Sequence, residues 1–287
     1  MAGMPLIDDG VTRRQFLRVG LGVTAIAGAM QTEACAHAGE IAGDAEQSHG
    51  RLRARVSSRT ANAGNGTSSA PPRTGEQPLK LATGGDRDGV LYVPRDLPAN
   101  GTPVPLLMLL HGARGGASGL TNRVGAFALA DQFKCIILAP DSRECCTWDV
   151  IRGGFGADVA FIDRALEQVF GRFTIDPTRL GIGGFSDGAS YALSLGLSNG
   201  DLFSHVIAFS PGFMVVERSV GKPSIFVSHG TADGILPIDS TSNRLVPSLR
   251  GAGYAVDFRR FAGPHTVPAD IAREAFTWML GARPPVG

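Results

Sequence analysis

Short apolar runs alternate with amphipathic stretches along this chain from residue 79 onward. The runs predicted as strands are 79–82, 90–93, 106–110, 135–138, 180–182, 206–209, 224–228 and 256–261. The stretches with helical spacing are 119–132, 157–170, 187–197, 239–251 and 268–280. Alternation of this kind predicts right-handed crossovers in a doubly wound, mostly parallel sheet with helices on both faces, an α/β fold. In such sheets the functional loops gather at the carboxyl ends of the strands.

The pattern G-x-S-x-G, typical of serine nucleophiles, occurs twice, at residues 184–188 and 196–200. Ser186 stands between a predicted strand and a predicted helix, which is the turn that an exposed nucleophile requires. Ser198 instead ends that helix, and the residues after it are typical of a helix C-terminus. The position therefore favours Ser186 as the nucleophile. The alternative is a glycine-rich turn without chemistry.

A serine hydroxyl needs a base to remove its proton and a carboxylate to orient that base. Asp233 follows a predicted strand in the sequence SHGTAD, and His265 follows the last predicted strand. Both residues are expected at the same edge of the sheet as Ser186, in the chain order serine, acid, histidine. The alternatives are a helix-capping role for Asp233 and a surface loop for His265. His229, beside a glycine at a strand end, is expected to serve packing and turn hydrogen bonding.

The reaction also needs donors for the developing oxyanion. The segment HGARGG, residues 111–116, breaks a strongly apolar strand into a glycine-rich loop. The backbone N–H groups of Ala113 and Asp187 are the predicted donors. The Asp187 carboxylate is expected to face away from them. A phosphate-binding loop is the alternative, but the sequence G-x-x-x-x-G-K-[ST] does not occur.

Apolar residues on the strand-end loops are candidates for the substrate pocket. They are Trp148, Phe213, Ile235 and Leu236. The alternative for each is to anchor its loop against the core. No metal or other cofactor is implied.

The formal net charge of +1, with no long run of one sign, argues against a nucleic-acid partner. A small or polymeric uncharged substrate is expected instead. Extended geometry across the strand that starts at Cys135 disfavours a disulfide to Cys145, and a bridge between Cys145 and Cys146 stays open.

The N-terminal residues 1–38 resemble a twin-arginine export signal, with paired arginines before a short apolar stretch. Export to the periplasm or outside the cell is therefore expected, with cleavage near Gly39 and no stable membrane span afterwards. Acylation of Cys35 is the less favoured alternative. Residues 39–78 hold hardly any large apolar residue and are predicted to be a disordered linker. Residues 79–287 are the predicted catalytic domain.

The motifs HGARGG, GFSDGAS and SHGTADGILPI together resemble those of the α/β-hydrolase superfamily. Within it, the chain is most similar to small bacterial phospholipase/carboxylesterases and to poly(3-hydroxyalkanoate) depolymerase-like esterases, over about residues 79–280. The resemblance implies a serine esterase with Ser186, Asp233 and His265 as its triad. Only 14 residues, 210–223, separate two predicted strands where relatives with a lid carry an insertion, so no lid domain is expected. A peptidase of the same fold and a catalytically inactive binding module are the alternatives.

Overall fold

A computed structural model describes residues 49–56, 72–81, 87–98, 101–144 and 147–281 of the chain. The strands are β1 (Gly75–Pro78), β2 (Gly89–Val93), β3 (Val104–Leu110), β4 (Ile136–Pro140), β5 (Ile175–Phe185), β6 (His205–Phe209), β7 (Ser224–Gly230) and β8 (Val256–Phe261). The helices are α1 (Ala117–Arg123), α2 (Ala126–Phe133), α3 (Asp149–Arg152), α4 (Ala157–Arg172), α5 (Asp187–Ser198), α6 (Ser242–Gly251) and α7 (Ala269–Leu280).

All eight strands form one sheet in the order β1-β2-β4-β3-β5-β6-β7-β8. The pairs β1–β2 and β2–β4 are antiparallel, and every other pair is parallel. The carboxyl ends of β3, β5, β7 and β8 therefore meet at one edge of the sheet. The prediction of a doubly wound, mostly parallel sheet is confirmed. Residues 210–223 contain neither a helix nor a strand, as expected for a chain without a lid domain.

Alternate residues of each central strand enter two separate cores because side chains on a strand point to opposite faces. On β3, Leu106, Met108 and Leu110 pack on the face covered by α4, α5 and α6. Leu107 and Leu109 pack on the other face, beneath α1, α2 and α7. These strands read as continuous apolar runs because both faces are covered.

The predicted helix 119–132 is wrong in one respect, since the structure divides it into α1 and α2. Gly125 adopts φ 61° between them, a left-handed conformation that ends one helix and redirects the chain into the next. The predicted first strand at 79–82 is displaced, because β1 pairs with β2 through Gly75–Pro78 instead.

Two parts of the predicted linker 39–78 are ordered, so that prediction is wrong for residues 49–56 and 72–78. Leu52 and Ala54 are 2% and 3% exposed and belong to the core beside α4 and α5. We call residues 49–56 the N-terminal strap. Its alternating apolar residues, Leu52, Ala54 and Val56, are too few to predict burial within a segment rich in Gly, Ala, Ser and Arg.

Buried polar side chains of the domain satisfy the backbone of the strap. Asn199 Oδ1 accepts from Leu52 N at 2.9 Å, and its Nδ2 donates to Gly50 O at 2.6 Å. Asp163 Oδ1 accepts from the backbone amides of Arg53 and Ala54. A buried strap would otherwise leave these backbone groups without partners, which costs free energy.

An ion pair holds the same segment from outside. Arg51 donates two parallel hydrogen bonds of 2.9 Å to the Asp201 carboxylate. The hydrogen bond from Arg51 holds the pKa of the exposed Asp201 carboxyl below its ordinary value. The strap thus docks at the C-terminal end of α5, the end remote from Ser186.

The expected signal sequence, with Cys35 and Gly39, lies outside the described residues, as do Cys145 and Cys146. Cys135 is a buried free thiol. Among the residues that the structure describes, no helix combines the length and the apolar character that crossing a membrane requires.

We expect Asn199→Ala to lower the free energy of unfolding by about 1 to 3 kcal/mol, because it leaves buried backbone groups of the strap unpaired. Chemical denaturation followed by circular dichroism measures this loss. Limited trypsin digestion should newly cut after Arg51 or Arg53. Asn243→Ala is the matched control, since Asn243 bonds the exposed side chains of Asp239, just before α6, and Arg260 on β8. Equal stability of the two variants would contradict the role of Asn199.

Gly188 lies where α5 crosses the end of β3, and a Cβ there would be 2.0 Å from Leu110 O. We expect Gly188→Ala to destabilise the fold by about 1 to 3 kcal/mol or more, because backbone must shift to make room. Gly119→Ala in α1 is the control, since nothing lies within 4 Å of its Cβ position. Thermal denaturation compares the two, and equal midpoints would contradict the close contact.

Candidate active site

Ser186 occupies the sharp turn from β5 into α5. Its backbone has φ 58° and ψ −119°, and its amide donates to Phe209 O of the neighbouring strand at 2.9 Å. A residue other than glycine adopts positive φ at a cost in free energy, and such strain concentrates at functional sites. Ser186 as a whole is 8% exposed and stands at the carboxyl edge of the sheet.

His265 lies on the loop after β8 and reaches the same edge. Its Nε2 is 2.9 Å from Ser186 Oγ, and its Nδ1 is 2.6 Å from Asp233 Oδ2. The ring of Phe185 packs against the imidazole with centroids 4.6 Å apart. The carboxylate accepts from Nδ1–H, so Nε2 is free to accept the serine proton. The structure therefore brings together the three side chains that the sequence assigned to one site.

Asp233 follows β7 in a tight turn, and its side chain is completely buried. Oδ1 accepts from the backbone amides of Ile235 at 2.9 Å and Leu236 at 2.8 Å. Burial opposes the negative charge, but the hydrogen bonds from Leu236, His265 and Ile235 outweigh it and lower the pKa of Asp233. Because that pKa lies below the ordinary value, the carboxylate stays charged throughout the neutral range.

The HGARGG loop comes directly against the nucleophile. A Cβ at Gly112 would lie 3.2 Å from Ser186 Cβ, so only glycine fits without displacement. In the described part of the chain, the amides of Ala113 and Asp187 donate to no protein acceptor. Two unpaired N–H groups flanking a serine hydroxyl suit a developing oxyanion. The structure thus leaves both predicted donors available.

Buried contacts beneath it fix this loop. Trp148 Nε1 donates to His111 O at 2.8 Å, and Ser142 N donates to His111 Nε2 at 3.1 Å. Burial lowers the pKa of His111, so its ring is neutral and Nε2 accepts. These contacts hold the loop in a defined position.

The Asp187 carboxylate is held away from the predicted oxyanion donors. Its Oδ2 accepts from Thr147 Oγ1 at 2.6 Å. The carboxylate is thus engaged with Thr147, while the backbone amide of Asp187 has no protein acceptor among the described residues. The structure places this side chain as the sequence led us to expect.

The four predicted pocket residues fall into two groups. Trp148 is 0% exposed and stacks on Tyr191, so its assignment to the pocket is wrong. It anchors the loop against the core, because its indole N–H finds a backbone acceptor there. Residues 233–236 form the turn that holds Asp233, which we call the acid turn. Ile235 in this turn is 70% exposed, and Leu236 and Phe213 are half-buried. These three remain candidates for contact with substrate.

The sequence did not predict that His229 contacts the acid of the site. Its ring is buried against Asp233, with Nε2 3.1 Å from Oδ2. The only signal was its position four residues before the acid in SHGTAD.

A family model described as phospholipase/carboxylesterase matches residues 157–271. A protein of Nocardia uniformis subsp. tsuyamanensis that is named as an esterase, NocK, is 28% identical over 48% of this chain. The Aspergillus niger protein named "Probable feruloyl esterase C" is 30% identical over 58% of this chain. The chain spans 42% and 64% of the lengths of these two relatives.

Solved structures share the fold. The Bacillus cereus carboxylesterase aligns with 70% of this chain and 97% of its own, with a TM-score of 0.52 and 19% identity. The sheet order and this structural likeness show the α/β-hydrolase fold, and residues 157–271 are similar to the phospholipase/carboxylesterase family.

Proposed function

We propose that this protein is an exported serine esterase that hydrolyses carboxylic esters through an acyl-enzyme on Ser186. The observation that carries the proposal is the continuous chain of contacts from Ser186 Oγ through His265 to Asp233, with distances of 2.9 and 2.6 Å. The esterase names of the relatives support the reaction type.

In the acylation step, His265 Nε2 takes the proton of Ser186 as Oγ attacks the ester carbonyl. The amides of Ala113 and Asp187 donate to the carbonyl oxygen as it gains negative charge. Asp233 stabilises the imidazolium through Nδ1–H. The imidazolium then gives its proton to the leaving alcohol oxygen, the ester C–O bond breaks and the acyl group stays on Ser186.

Water completes the cycle. His265 takes a proton from water, which attacks the acyl carbonyl in the same pair of N–H groups. The bond to Ser186 Oγ breaks, His265 returns the proton to that oxygen, and the carboxylic acid leaves. The same residues therefore serve both half-reactions.

The surroundings of the site favour short acyl, aryl or polymeric esters. Residues 210–223 supply no helical cover, and Ile235 presents an apolar side chain next to the acid turn. The name of the Aspergillus relative points to aromatic acyl groups as one class to test.

Export is proposed from the paired arginines and apolar stretch within residues 1–38. The proposal includes no nucleic-acid partner and no cofactor, because the protein residues alone supply nucleophile, base and oxyanion donors. Its partners are the ester substrate and water.

Ser186→Ala should lower kcat by about 10⁶-fold, because the hydroxyl that accepts the acyl group is lost and the three residues act as a unit. Hydrolysis of p-nitrophenyl acetate measures this. Ser198→Ala is the matched control from the second G-x-S-x-G pattern. Its hydroxyl is buried and bonds Ser194 O, so kcat should stay close to that of the parent. An active Ser186→Ala variant would overturn the assignment of the nucleophile.

A panel of substrates separates the reaction classes. We expect p-nitrophenyl acetate and an aryl-acid ester such as methyl ferulate to be hydrolysed faster than aminoacyl p-nitroanilides. Faster cleavage of the anilides would favour a peptidase. No turnover of any substrate by a folded protein would favour a binding module.

Activity should fall in the mildly acidic range of pH, as expected of a catalytic base that must be unprotonated to act. The protonated ring of His265 cannot accept from Ser186. The pKa of Asp233 lies below its ordinary value, so this carboxylate adds no second loss in that range. The pH profile of kcat/KM measures the midpoint, with circular dichroism to show that the protein stays folded. A flat profile from about pH 5 to 8 would contradict a histidine base.

A further inference from the structure

The carboxylate of Asp233 lies between two imidazole rings. Its Oδ2 is 2.6 Å from His265 Nδ1 and 3.1 Å from His229 Nε2. The side chains of Asp233 and His229 are both 0% exposed. The mechanism described above uses His265 and leaves the second ring without a role.

The neighbours of the His229 ring define its protonation. Nε2 is 2.7 Å from Leu236 O and 3.1 Å from Asp233 Oδ2, and both oxygens can only accept. Nε2 must therefore carry a proton. Nδ1 is 2.7 Å from Ser242 Oγ, whose hydroxyl can donate. Burial lowers the pKa of His229, so the ring is neutral and Ser242 donates to Nδ1.

In this state, His229 braces both sides of the acid turn. Its N–H donates to Leu236 O, while the amide of the same Leu236 donates to Asp233 Oδ1. The same N–H also faces Oδ2 and offsets part of the negative charge there. Each oxygen of the carboxylate thus has a fixed environment, with Oδ1 in the turn and Oδ2 between the rings.

We propose that His229 is a positioning residue for the acid of the triad, holding the Asp233–Leu236 turn and sharing Oδ2 with His265. The proposal deepens the proposed esterase function and rests on it. Ser242 completes the arrangement by fixing the tautomer that places the His229 proton on Nε2.

The charged groups near His229 determine whether loss of its N–H favours or opposes protonation of His265. Asp233 and His265 are its electrostatic neighbours. Arg260 is opposite His229 in the register of β7 and β8, but its guanidinium donates to Asn243 Oδ1 and lies over the Phe258 ring. On the far side of His265, Arg123 lies over the Phe185 ring. Removing the His229 N–H therefore leaves more negative charge on Oδ2 facing His265, and this favours the imidazolium.

The experiment compares His229→Leu with His229→Gln, because the amide of glutamine can still donate. For His229→Leu, the midpoint of the acid limb of kcat/KM should move to higher pH by about half a unit to one unit. Its kcat should fall by about tenfold or more, with little change in KM, because the acid is misplaced while the substrate surface is intact. His229→Gln should recover most of both losses. Ser242→Ala should shift the midpoint in the same direction by less.

His205→Leu is the control for replacing a histidine by leucine elsewhere in the sheet, at a half-buried position. His205 begins β6, bonds Ser204 and packs against Trp278, at the opposite end of the sheet from the triad. It should leave the midpoint unchanged. If His229→Leu does not fold, His229→Gln and Ser242→Ala still test the role of His229. Only Ser242→Ala weakens the donor at Asp233, so only this variant should shift the midpoint clearly.

A second readout does not depend on turnover. NMR titration of the His265 ring follows the same midpoint in parent and variants even if no ester is hydrolysed. A shift of this titration without esterase activity would support the positioning role of His229 and contradict the proposed esterase reaction. An unchanged midpoint in folded His229→Leu, or an equal loss of kcat in the Gln and Leu variants, would overturn the role of His229.

Discussion

The close approach of α5 to the end of β3 is the constraint on which the site depends. Gly188 allows the first turn of α5 to touch Leu110 O, and Gly112 allows the following loop to touch Ser186. Between these two contacts, Ser186 adopts positive φ at the end of β5. The amides of Ala113 and Asp187, the predicted oxyanion donors, belong to the same two segments and have no protein acceptor in the described part of the chain. Nucleophile and oxyanion donors therefore arise from one packing contact.

The electrostatics of the site follow from the placement of a single buried charge. The Asp233 side chain has no solvent contact, yet its carboxylate stays ionised because two backbone amides and the imidazole N–H of His265 donate to it. The negative charge acts on His265 over 2.6 Å in a poorly solvated environment, where such interactions are strong. Burial alone would neutralise the acid. The turn that donates to Oδ1 and the His265 N–H that donates to Oδ2 allow a buried residue to remain charged.

Much of this arrangement was predictable because its signals are local. Ser186, Asp233 and His265 each follow an apolar run, and parallel strands bring such positions to one edge. Burial of Trp148 was not predictable, since an aromatic residue after a strand has the same local pattern on the rim and beneath it. The strap was missed because Leu52 depends on Asn199, 147 residues away. The sequence predicts packing and turn hydrogen bonding for His229, but its contact with Asp233 depends on how the turn closes and has no local signal.

Covalent trapping of the nucleophile tests the central claim most directly. The folded protein is treated with a fluorophosphonate, and peptide mapping by mass spectrometry locates the adduct. A serine activated by His265 and Asp233 should be modified at Ser186 alone, with labelling lost in Ser186→Ala and slowed in His265→Ala. An adduct on another serine, or no adduct on folded protein, would contradict the assignment of Ser186 as an activated nucleophile.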